Sequence, residues 1–292
     1  MSFVSSTRTT LEMIKFEHTV FALPFALLSV VLASDGWPAV SKLLWILLAM
    51  VGARSAAMSF NRIADFRLDA ENPRTCMRAL PTGQVSLSFA AGFMLVSSVF
   101  FIVAARQLNP LCFRFSVPVL AILFAYSYTK RLTYYSHIVL GLCLGLAPVG
   151  AWIAIRGDIR ITPVVLGIVV LLWTAGFDII YACQDLDFDR RKQLFSIPKR
   201  FGIRTALRMS SSLHITMLLL LLLLLILESL SWISFVGFGL VACLIWYEHH
   251  LVRPSDLSRV NQAFFTVNGY ISIVLLAVVG LDKILHQSGF KG

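Results

Sequence analysis

The chain has 292 residues, of which 58% are hydrophobic and only 14% are charged. Soluble domains carry about 25% charged residues, so this composition excludes an ordinary soluble protein and predicts an integral membrane protein. The net charge of +10 does not indicate a nucleic-acid partner, because basic residues collect in the cytoplasmic loops of membrane proteins. The five cysteines are scattered, which predicts neither a zinc site nor a disulfide framework.

Apolar runs long enough to cross a bilayer recur along the chain. A spanning helix needs about 20 mostly apolar residues. Such runs lie near residues 17–35, 41–61, 85–105, 110–128, 135–156, 162–182, 209–228, 231–248 and 262–284. We therefore predict an all-α integral membrane bundle of about nine transmembrane helices, in one domain over residues 1–292. The leucine-rich run at 218–227 lacks a polar face, which predicts that it faces lipid.

The distribution of lysine and arginine predicts the orientation of the chain. With the N-terminus inside, 17 of the 25 basic residues fall in inside segments and seven in outside segments, while Arg54 lies within the second span. Basic residues are enriched in cytoplasmic loops. Four passes separate the second and sixth spans, so both end on the same side of the membrane. The basic residues predict that this is the cytoplasmic side.

Two acidic motifs follow the second and the sixth predicted spans. They consist of Asn61, Asp65 and Asp69 in the first motif and of Asp185 and Asp189 in the second. The second motif, with Tyr181 in the position of Asn61, follows the first by 120 residues, which indicates a parallel internal repeat. Residues four apart share one face of a helix, so each motif predicts a stripe of oxygen atoms at a helix end.

Carboxylates near a bilayer are energetically costly, so two clusters of them indicate a functional role. Mg²⁺ prefers oxygen ligands and commonly bridges one or two carboxylates to substrate phosphates. The motifs therefore predict Mg²⁺ that holds a phosphorylated ligand. In the alternative reading, the acids pair with nearby arginines in solvated loops; the candidates are Arg62, Arg67, Arg190 and Arg191.

Basic residues near the motifs are candidates for binding the phosphates. Arg74 and Arg78 follow the first motif, and Lys130 and Arg131 lie between the fourth and fifth spans. Guanidinium groups bind phosphate oxygens as a fork, and lysine binds them as a point charge. The alternative is that these residues only make the cytoplasmic loops positive, as in any membrane protein.

Arg54 precedes Asn61 by seven residues, which puts it on the same face of the helix but deeper in the membrane. A buried arginine needs an anionic partner. That partner is either Asp178, which precedes Asp185 by the same seven residues, or the carboxylate or diphosphate of a substrate. The adjacent His249 and His250 are more typical of a helix end than of a ligand pair.

The motifs resemble those of the UbiA superfamily of membrane prenyltransferases. The first signature is NRIADFRLDAENPRTCMRALPTG at residues 61–83, and the second is FDIIYACQDLDFDRR at residues 177–191. The segment YSYTKR at 126–131 is similar to the family's loop between its fourth and fifth helices. The resemblance covers essentially the whole chain and includes the nine helices.

The resemblance implies transfer of a polyprenyl group from a polyprenyl diphosphate to an aromatic acid of the 4-hydroxybenzoate type in quinone biosynthesis. It implies Mg²⁺ as the cofactor, membrane lipid around the bundle, a bacterial inner membrane as the location and a cytoplasmic active site. The residues that would hold the metal are Asn61, Asp65, Asp69, Asp185 and Asp189, and the four aspartates among them would act in catalysis. Those that would contact the substrates are Arg54, Tyr126, Asp178 and Tyr181. The rings of Tyr126, Tyr128 and Tyr181 either stabilise an allylic cation or pack as ordinary aromatics.

Two alternatives to this activity stay open. The segment KFEHTVFALPFAL at residues 15–27 departs from the Arg-x-Asp-Lys-Pro pattern that is usual for 4-hydroxybenzoate acceptors. It is similar to a subgroup in which some members serve menaquinone synthesis by the futalosine route, with 1,4-dihydroxy-6-naphthoate as the acceptor. A secondary transporter is the alternative from another class, although transporter sites tend to lie near the midplane of the membrane.

Overall fold

The computed structural model describes Met13 and residues 19–287. The described helices are α1 (Thr19–Ala33), α2 (Val40–Ala64), α3 (Phe66–Glu71), α4 (Leu87–Leu108), α5 (Pro110–Leu132), α6 (Ser136–Arg156), α7 (Ile161–Ala182), α8 (Leu186–Arg191), α9 (Ile197–Phe201), α10 (Ile203–Leu227), α11 (Trp232–Leu251) and α12 (Asn268–Gln287). A 3-10 turn covers Cys183–Asp185, and a π-helical segment covers Gln262–Val267. The start of the predicted first span, at residues 17–18, lies outside the described residues, as do residues 15–18 of the segment at 15–27.

The apolar runs fold as predicted. Within the described residues, eight helical segments are long and apolar enough to cross a membrane, and Phe21–Ala33 forms a shorter apolar helix. Each predicted run coincides with one of the helices, the last one together with the π-helical segment, and the ends agree to within six residues. This confirms the all-α fold and the integral, multi-pass character of the protein. The chain divides into two compact units: residues 1–19 with 39–128, and residues 20–38 with 129–292.

In the first unit, α2 packs along α4 through small residues. A Cβ added at Gly52 would lie 3.0–3.2 Å from backbone atoms of Ser97 and Phe101 on α4. Ala56 on α2 and Ala90 on α4 are both completely buried. Small residues let helix backbones approach closely in a membrane, where van der Waals packing drives the association of helices.

In the second unit, α7 is the central helix and packs against both α6 and α10. A Cβ at Gly145 of α6 would collide with the carbonyl oxygen of Gly167 on α7, so the contact requires glycine there. The leucine run on α10 does not only face lipid. Leu221 and Leu225 are 1% exposed and belong to the core, whereas Leu219 is 63% exposed. The prediction of a lipid-facing run is therefore wrong for one side of the helix.

Polar contacts join the loops after α1 and α6. Arg156 Nη2 donates to Asp35 Oδ1 at 2.8 Å, and the indole N–H of Trp152 donates to Asp158 Oδ1 at 3.0 Å. The Arg156 guanidinium lowers the pKa of Asp35, and the Trp152 indole lowers the pKa of Asp158. These contacts show that the two loops lie at the same end of the second unit.

Candidate active site

The helix that carries the first motif bends within the motif. Helix α2 ends at Ala64, Asp65 has φ −94° and ψ 5°, and α3 begins at Phe66. This conformation lies in the sparsely populated bridge region, where many active-site residues are found. The backbone bonds from Asp65 N to Asn61 O, at 2.9 Å, and from Asp69 N to Asp65 O, at 2.7 Å, keep the spacing of a helical turn. The predicted stripe therefore forms, but on two helix segments and not on one continuous helix.

The second motif has the same local shape. Helix α7 ends at Ala182, the 3-10 turn follows, and Asp185 has φ −93° and ψ 5° before α8 begins. Asp189 lies in the first turn of α8, as Asp69 lies in the first turn of α3. The backbone therefore repeats together with the sequence.

In the first motif, basic side chains hold the carboxylate of Asp69. Arg78 Nη1 donates to both oxygens of Asp69 at 2.7 Å, and Arg62 Nη1 lies 3.9 Å from Asp69 Oδ2. Asn61 Nδ2 donates to Asp65 Oδ2 at 3.2 Å. The side chains of Asp65, Asp69 and Arg62 are buried. The sequence indicates Arg62 only as a counter-ion of the acids in solvated loops, whereas in the structure it is a buried part of the site.

In the second motif, Asp189 is buried beside Lys130. Its carboxylate accepts a hydrogen bond from Ser196 and interacts electrostatically with Asp185, Lys130 and His137. The backbone N–H of Phe195 donates to the carbonyl oxygen of Lys130 at 2.7 Å, which ties the loop after α8 to the end of α5. The predicted basic residue Lys130 is thereby brought to the second acidic motif.

The other predicted basic residues have different surroundings. Arg74 is exposed, and its backbone N–H donates to Asn72 Oδ1 at 2.9 Å. Arg131 is half-buried at the end of α5, and Arg54 is half-buried within α2.

The predicted aromatic residues are partly exposed. Tyr126 is half-buried on α5. The ring of Tyr181, on α7, lies 4.2 Å from the ring of Phe264 between centroids and is also half-buried. Tyr181 precedes Asp185 by one helical turn, so its ring lies next to the second motif.

Asp178 pairs with a histidine that the sequence analysis missed. His137 Nδ1 lies 2.7 Å from Asp178 Oδ2; the side chain of His137 is 4% exposed and that of Asp178 is 18% exposed. His137 lies 41 residues from Asp178 along the chain, and no spacing rule links them. The imidazole therefore orients the carboxylate from behind and leaves the carboxylate as the more accessible of the two groups.

The donors of both motifs fit Mg²⁺. They are carboxylate and amide oxygens, which hard cations prefer. Within the described residues, no group of three or more His, Cys, Asp or Glu side chains is arranged to hold a metal ion. Mg²⁺ usually takes one or two carboxylates and completes its shell with water and substrate phosphates, so this donor set suits the ion together with a diphosphate.

Comparison with known proteins identifies the family. Residues 22–270 match the family described as the UbiA prenyltransferase family. The chain belongs to this family. It is 30% identical to the 4-hydroxybenzoate octaprenyltransferase of Vibrio campbellii over 256 residues, covering 87% of this chain and 88% of the relative. The relative of the same name from Vibrio atlanticus is 30% identical over 266 residues, covering 90% of this chain and 91% of the relative.

Solved structures agree with the UbiA assignment. The apo structure of a UbiA homolog from Aeropyrum pernix has a TM-score of 0.83 and 33% identity, covering 91% of this chain and 98% of the homolog. A UbiA homolog from Archaeoglobus fulgidus, solved with DMAPP and Mg²⁺, has a TM-score of 0.77 and 19% identity, covering 94% of this chain and 99% of the homolog. This UbiA family member is therefore a membrane prenyltransferase.

Proposed function

We propose that this UbiA family enzyme transfers a polyprenyl group from a polyprenyl diphosphate to an aromatic acid of the 4-hydroxybenzoate type, in quinone biosynthesis. The observation that carries the proposal is the pair of matched bends at Asp65 and Asp185, each beside a buried carboxylate with a basic partner. The 4-hydroxybenzoate octaprenyltransferases of two Vibrio species, each 30% identical, support the choice of acceptor.

The acidic motifs would hold Mg²⁺. The residues in this role are Asn61, Asp65, Asp69, Asp185 and Asp189. When bound, Mg²⁺ neutralises the charge that develops on a departing diphosphate. The structure of the Archaeoglobus fulgidus homolog with DMAPP and Mg²⁺ supports this cofactor and this class of donor.

The basic residues would bind the diphosphate. Lys130 beside Asp189 and Arg78 on Asp69 carry positive charge next to the two motifs, and Arg74 and Arg131 lie close to them along the chain. As the bond between the allylic carbon and the diphosphate oxygen breaks, the electron pair leaves with the diphosphate. Fixed positive groups stabilise that charge without reorganisation, because they are already oriented.

The apolar helices would protect the allylic cation from water. A ring carbon of the aromatic acid attacks the cation, a carbon–carbon bond forms, and the same ring carbon loses its proton. The face of Tyr181, or that of Tyr126, stabilises the cation through its quadrupole. Arg54 and Asp178 are our candidates for contacting the substrates, and His137 orients the carboxylate of Asp178.

The enzyme that we propose uses the whole chain as one prenyltransferase domain in a bacterial inner membrane. The excess of basic residues beside both motifs supports a cytoplasmic active site. Modification of single introduced cysteines in intact cells tests this orientation. Labelling at Arg67→Cys by a membrane-impermeant reagent added outside would contradict it.

The test of the proposed activity is a transfer assay on purified enzyme with Mg²⁺ and a long-chain polyprenyl diphosphate. The acceptors 4-hydroxybenzoate and 1,4-dihydroxy-6-naphthoate are supplied in parallel, and products are identified by mass. Prenylated hydroxybenzoate is the expected result. Prenylated naphthoate alone would show that the naphthoate is the acceptor and would indicate menaquinone synthesis. Substrate uptake into sealed vesicles without any prenylated product would favour a transporter.

A further inference from the structure

A π-helical segment forms the start of the last membrane span, beside Tyr181. It covers Gln262–Val267 and contains two adjacent phenylalanines. The ring centroid of Phe264 lies 4.2 Å from that of Tyr181, and the ring centroid of Phe265 lies 6.1 Å from it. Adjacent residues on a regular α-helix point in directions about 100° apart, so the wider turn helps both rings to reach one tyrosine. π-Helical turns are frequent at functional sites.

Asn268 closes this π segment with its side chain. Asn268 Nδ2 donates to the carbonyl oxygens of Ala263, at 3.1 Å, and Phe264, at 3.3 Å. Both carbonyls belong to the irregular turn, whose backbone groups need partners inside a membrane. Asn268 is completely buried, so water does not take the place of these contacts.

The same amide joins two further helices. Asn268 Nδ2 donates to Glu248 Oε1 of α11 at 2.8 Å, and Asn268 Oδ1 accepts from the indole N–H of Trp173 on α7 at 2.7 Å. An amide has two N–H groups, so one of them serves Glu248 and the other is shared between the neighbouring carbonyl oxygens of Ala263 and Phe264, while the amide oxygen accepts from Trp173. Asn268 therefore fixes the π segment to α7, the helix that carries Tyr181 and leads into the second acidic motif.

Glu248 is a costly residue for its position. It is completely buried within a membrane span, and its Oε2 atom has no hydrogen-bond partner among the residues that the structure describes. His214 Nδ1 lies 3.7 Å from this Oε2 atom and 2.9 Å from His249 Nε2. Ionisable residues inside membranes are expensive and usually functional. An apolar residue would fill the space at lower cost, so the oxygen that Glu248 offers to Asn268 is its contribution.

We propose that Asn268 and Glu248 are positioning residues that hold the π segment, and with it Phe264 and Phe265, against Tyr181. The three rings form an aromatic wall one helical turn from Asp185, where the allylic end of a prenyl diphosphate would lie. The rings of Tyr181 and Phe265 remain partly exposed, as contact with a ligand requires. This inference rests on the proposed prenyl transfer.

The experiment measures the KM for each substrate of the purified full-length enzyme. Asn268→Leu removes the donors to the π segment, so we expect the KM for the prenyl diphosphate to rise about tenfold while that for the aromatic acid stays within about twofold. Glu248→Leu should behave in the same way. Glu248→Gln keeps the oxygen acceptor and should retain nearly normal values.

The matched control is Asp282→Leu. Asp282 is also buried on α12 and accepts hydrogen bonds from Ser231 and Ser234 at the start of α11, but it lies 14 residues beyond Asn268. Its loss should lower the melting temperature without changing either KM. Thermal unfolding of every variant in detergent identifies those that fail to fold. If Asn268→Leu is among them, Asn268→Ser takes its place, because the shorter side chain also loses the amide donors, and an unchanged KM for the prenyl diphosphate in that variant overturns the positioning role.

Each outcome has a defined meaning. Equal KM values for the prenyl diphosphate in Asn268→Leu, Asp282→Leu and wild type would overturn the positioning role. An equal rise in the KM for the prenyl diphosphate in Glu248→Gln and Glu248→Leu would overturn the role of Glu248 as an acceptor for Asn268. A wild-type enzyme that transfers no prenyl group would instead overturn the proposed function, and this inference with it.

Discussion

Asp65 and Asp185, 120 residues apart, have the same backbone conformation, with φ and ψ of −94° and 5° in one and −93° and 5° in the other. Asp65 directly follows the spanning helix α2, Asp185 follows α7 at the end of a 3-10 turn, and each aspartate precedes a helix of six residues. Each of these short helices buries a second aspartate in its first turn, Asp69 in one and Asp189 in the other. The two halves of the chain therefore repeat a bend that carries carboxylates.

The bends predict which carboxylates are essential. Asp65→Asn and Asp185→Asn each remove a negative charge from the proposed metal site, and we expect kcat to fall by at least about 100-fold. Asp187 lies between Asp185 and Asp189 but is exposed, so Asp187→Asn should leave activity nearly normal. The measurement is prenyl transfer at saturating substrate, with melting temperature as the control for folding. Near-normal turnover in both bend variants would contradict the metal assignment.

The ion pair between Arg78 and Asp69 predicts energetic coupling. Hydrogen bonds to charged groups contribute about 1.5–3 kcal/mol, and Asp69 is buried. In a double-mutant cycle of Arg78→Gln and Asp69→Asn, we expect a coupling energy of about 1–3 kcal/mol in unfolding. Arg67 is exposed, so the same cycle with Arg67→Gln should give a value near zero. Additive effects of the first pair would show that the contact does not stabilise the protein.

His137 predicts a role behind Asp178. Because His137 Nδ1 lies 2.7 Å from Asp178 Oδ2, His137→Leu should leave that carboxylate misoriented and lower kcat/KM about tenfold. His137→Asn supplies an amide donor near the position of Nδ1 and should recover part of the loss. If Asp178 contacts the acceptor, the change appears mainly in the KM for the aromatic acid. Equal kinetics for the leucine and asparagine variants would argue against the hydrogen bond as the cause.

Removal of divalent metal should abolish turnover. The donor set consists of carboxylate and amide oxygens, and Mg²⁺ completes its shell with substrate phosphates. We expect a chelator to stop prenyl transfer and added Mg²⁺ to restore it, whereas Ca²⁺, which prefers six to eight ligands, restores little. Steady-state transfer rates in each condition make the comparison. Full activity in chelator would contradict a metal role.

The contact between α6 and α7 predicts different effects for two glycines of the same helix. A Cβ at Gly145 would collide with the carbonyl oxygen of Gly167, whereas a Cβ at Gly150 meets nothing within 4 Å. Gly145→Ala should destabilise the protein by about 1–3 kcal/mol, as overpacking does. Gly150→Ala should be neutral or slightly stabilising, since it removes backbone entropy from the unfolded chain. Thermal unfolding in detergent distinguishes them, and equal melting temperatures would show that the helices shift to make room.

The sequence predicted the membrane spans well because the physical constraint on them is simple. About 20 apolar residues are needed to cross the bilayer, whatever the neighbouring helices are. The sequence predicted the surroundings of the leucine run at 218–227 less well, because this run has two environments. Leu219 faces outward and Leu221 is in the core, although both are leucine. Lipid and protein interior are equally apolar, so residue type does not distinguish them.

The sequence did not predict the polar pairs inside the second unit. His249 lies in the last turn of α11, as predicted for a helix end, but its ring also bonds to His214 at 2.9 Å, from 35 residues away. Asp178 finds His137, and Glu248 finds Asn268, across equally irregular separations. Such partners depend on which helix faces meet, and nothing in the local spacing encodes that.

The sequence by itself determined the membrane character of this protein, its family and the residues of its two acidic motifs, because apolar run length and fixed four-residue spacing are local properties. The metal assignment of those motifs stays a prediction. The tertiary structure decided that both motifs bend at an aspartate, that Arg62 and Arg78 hold Asp69, and that Asn268 closes a π turn beside Tyr181. The contacts of Asn268 with Trp173 and of Phe264 with Tyr181 join helices distant in the chain. The bends and the pairing of Asp69 with Arg78 are local, but they depend on burial, since a buried polar group must take whatever partner the packing supplies.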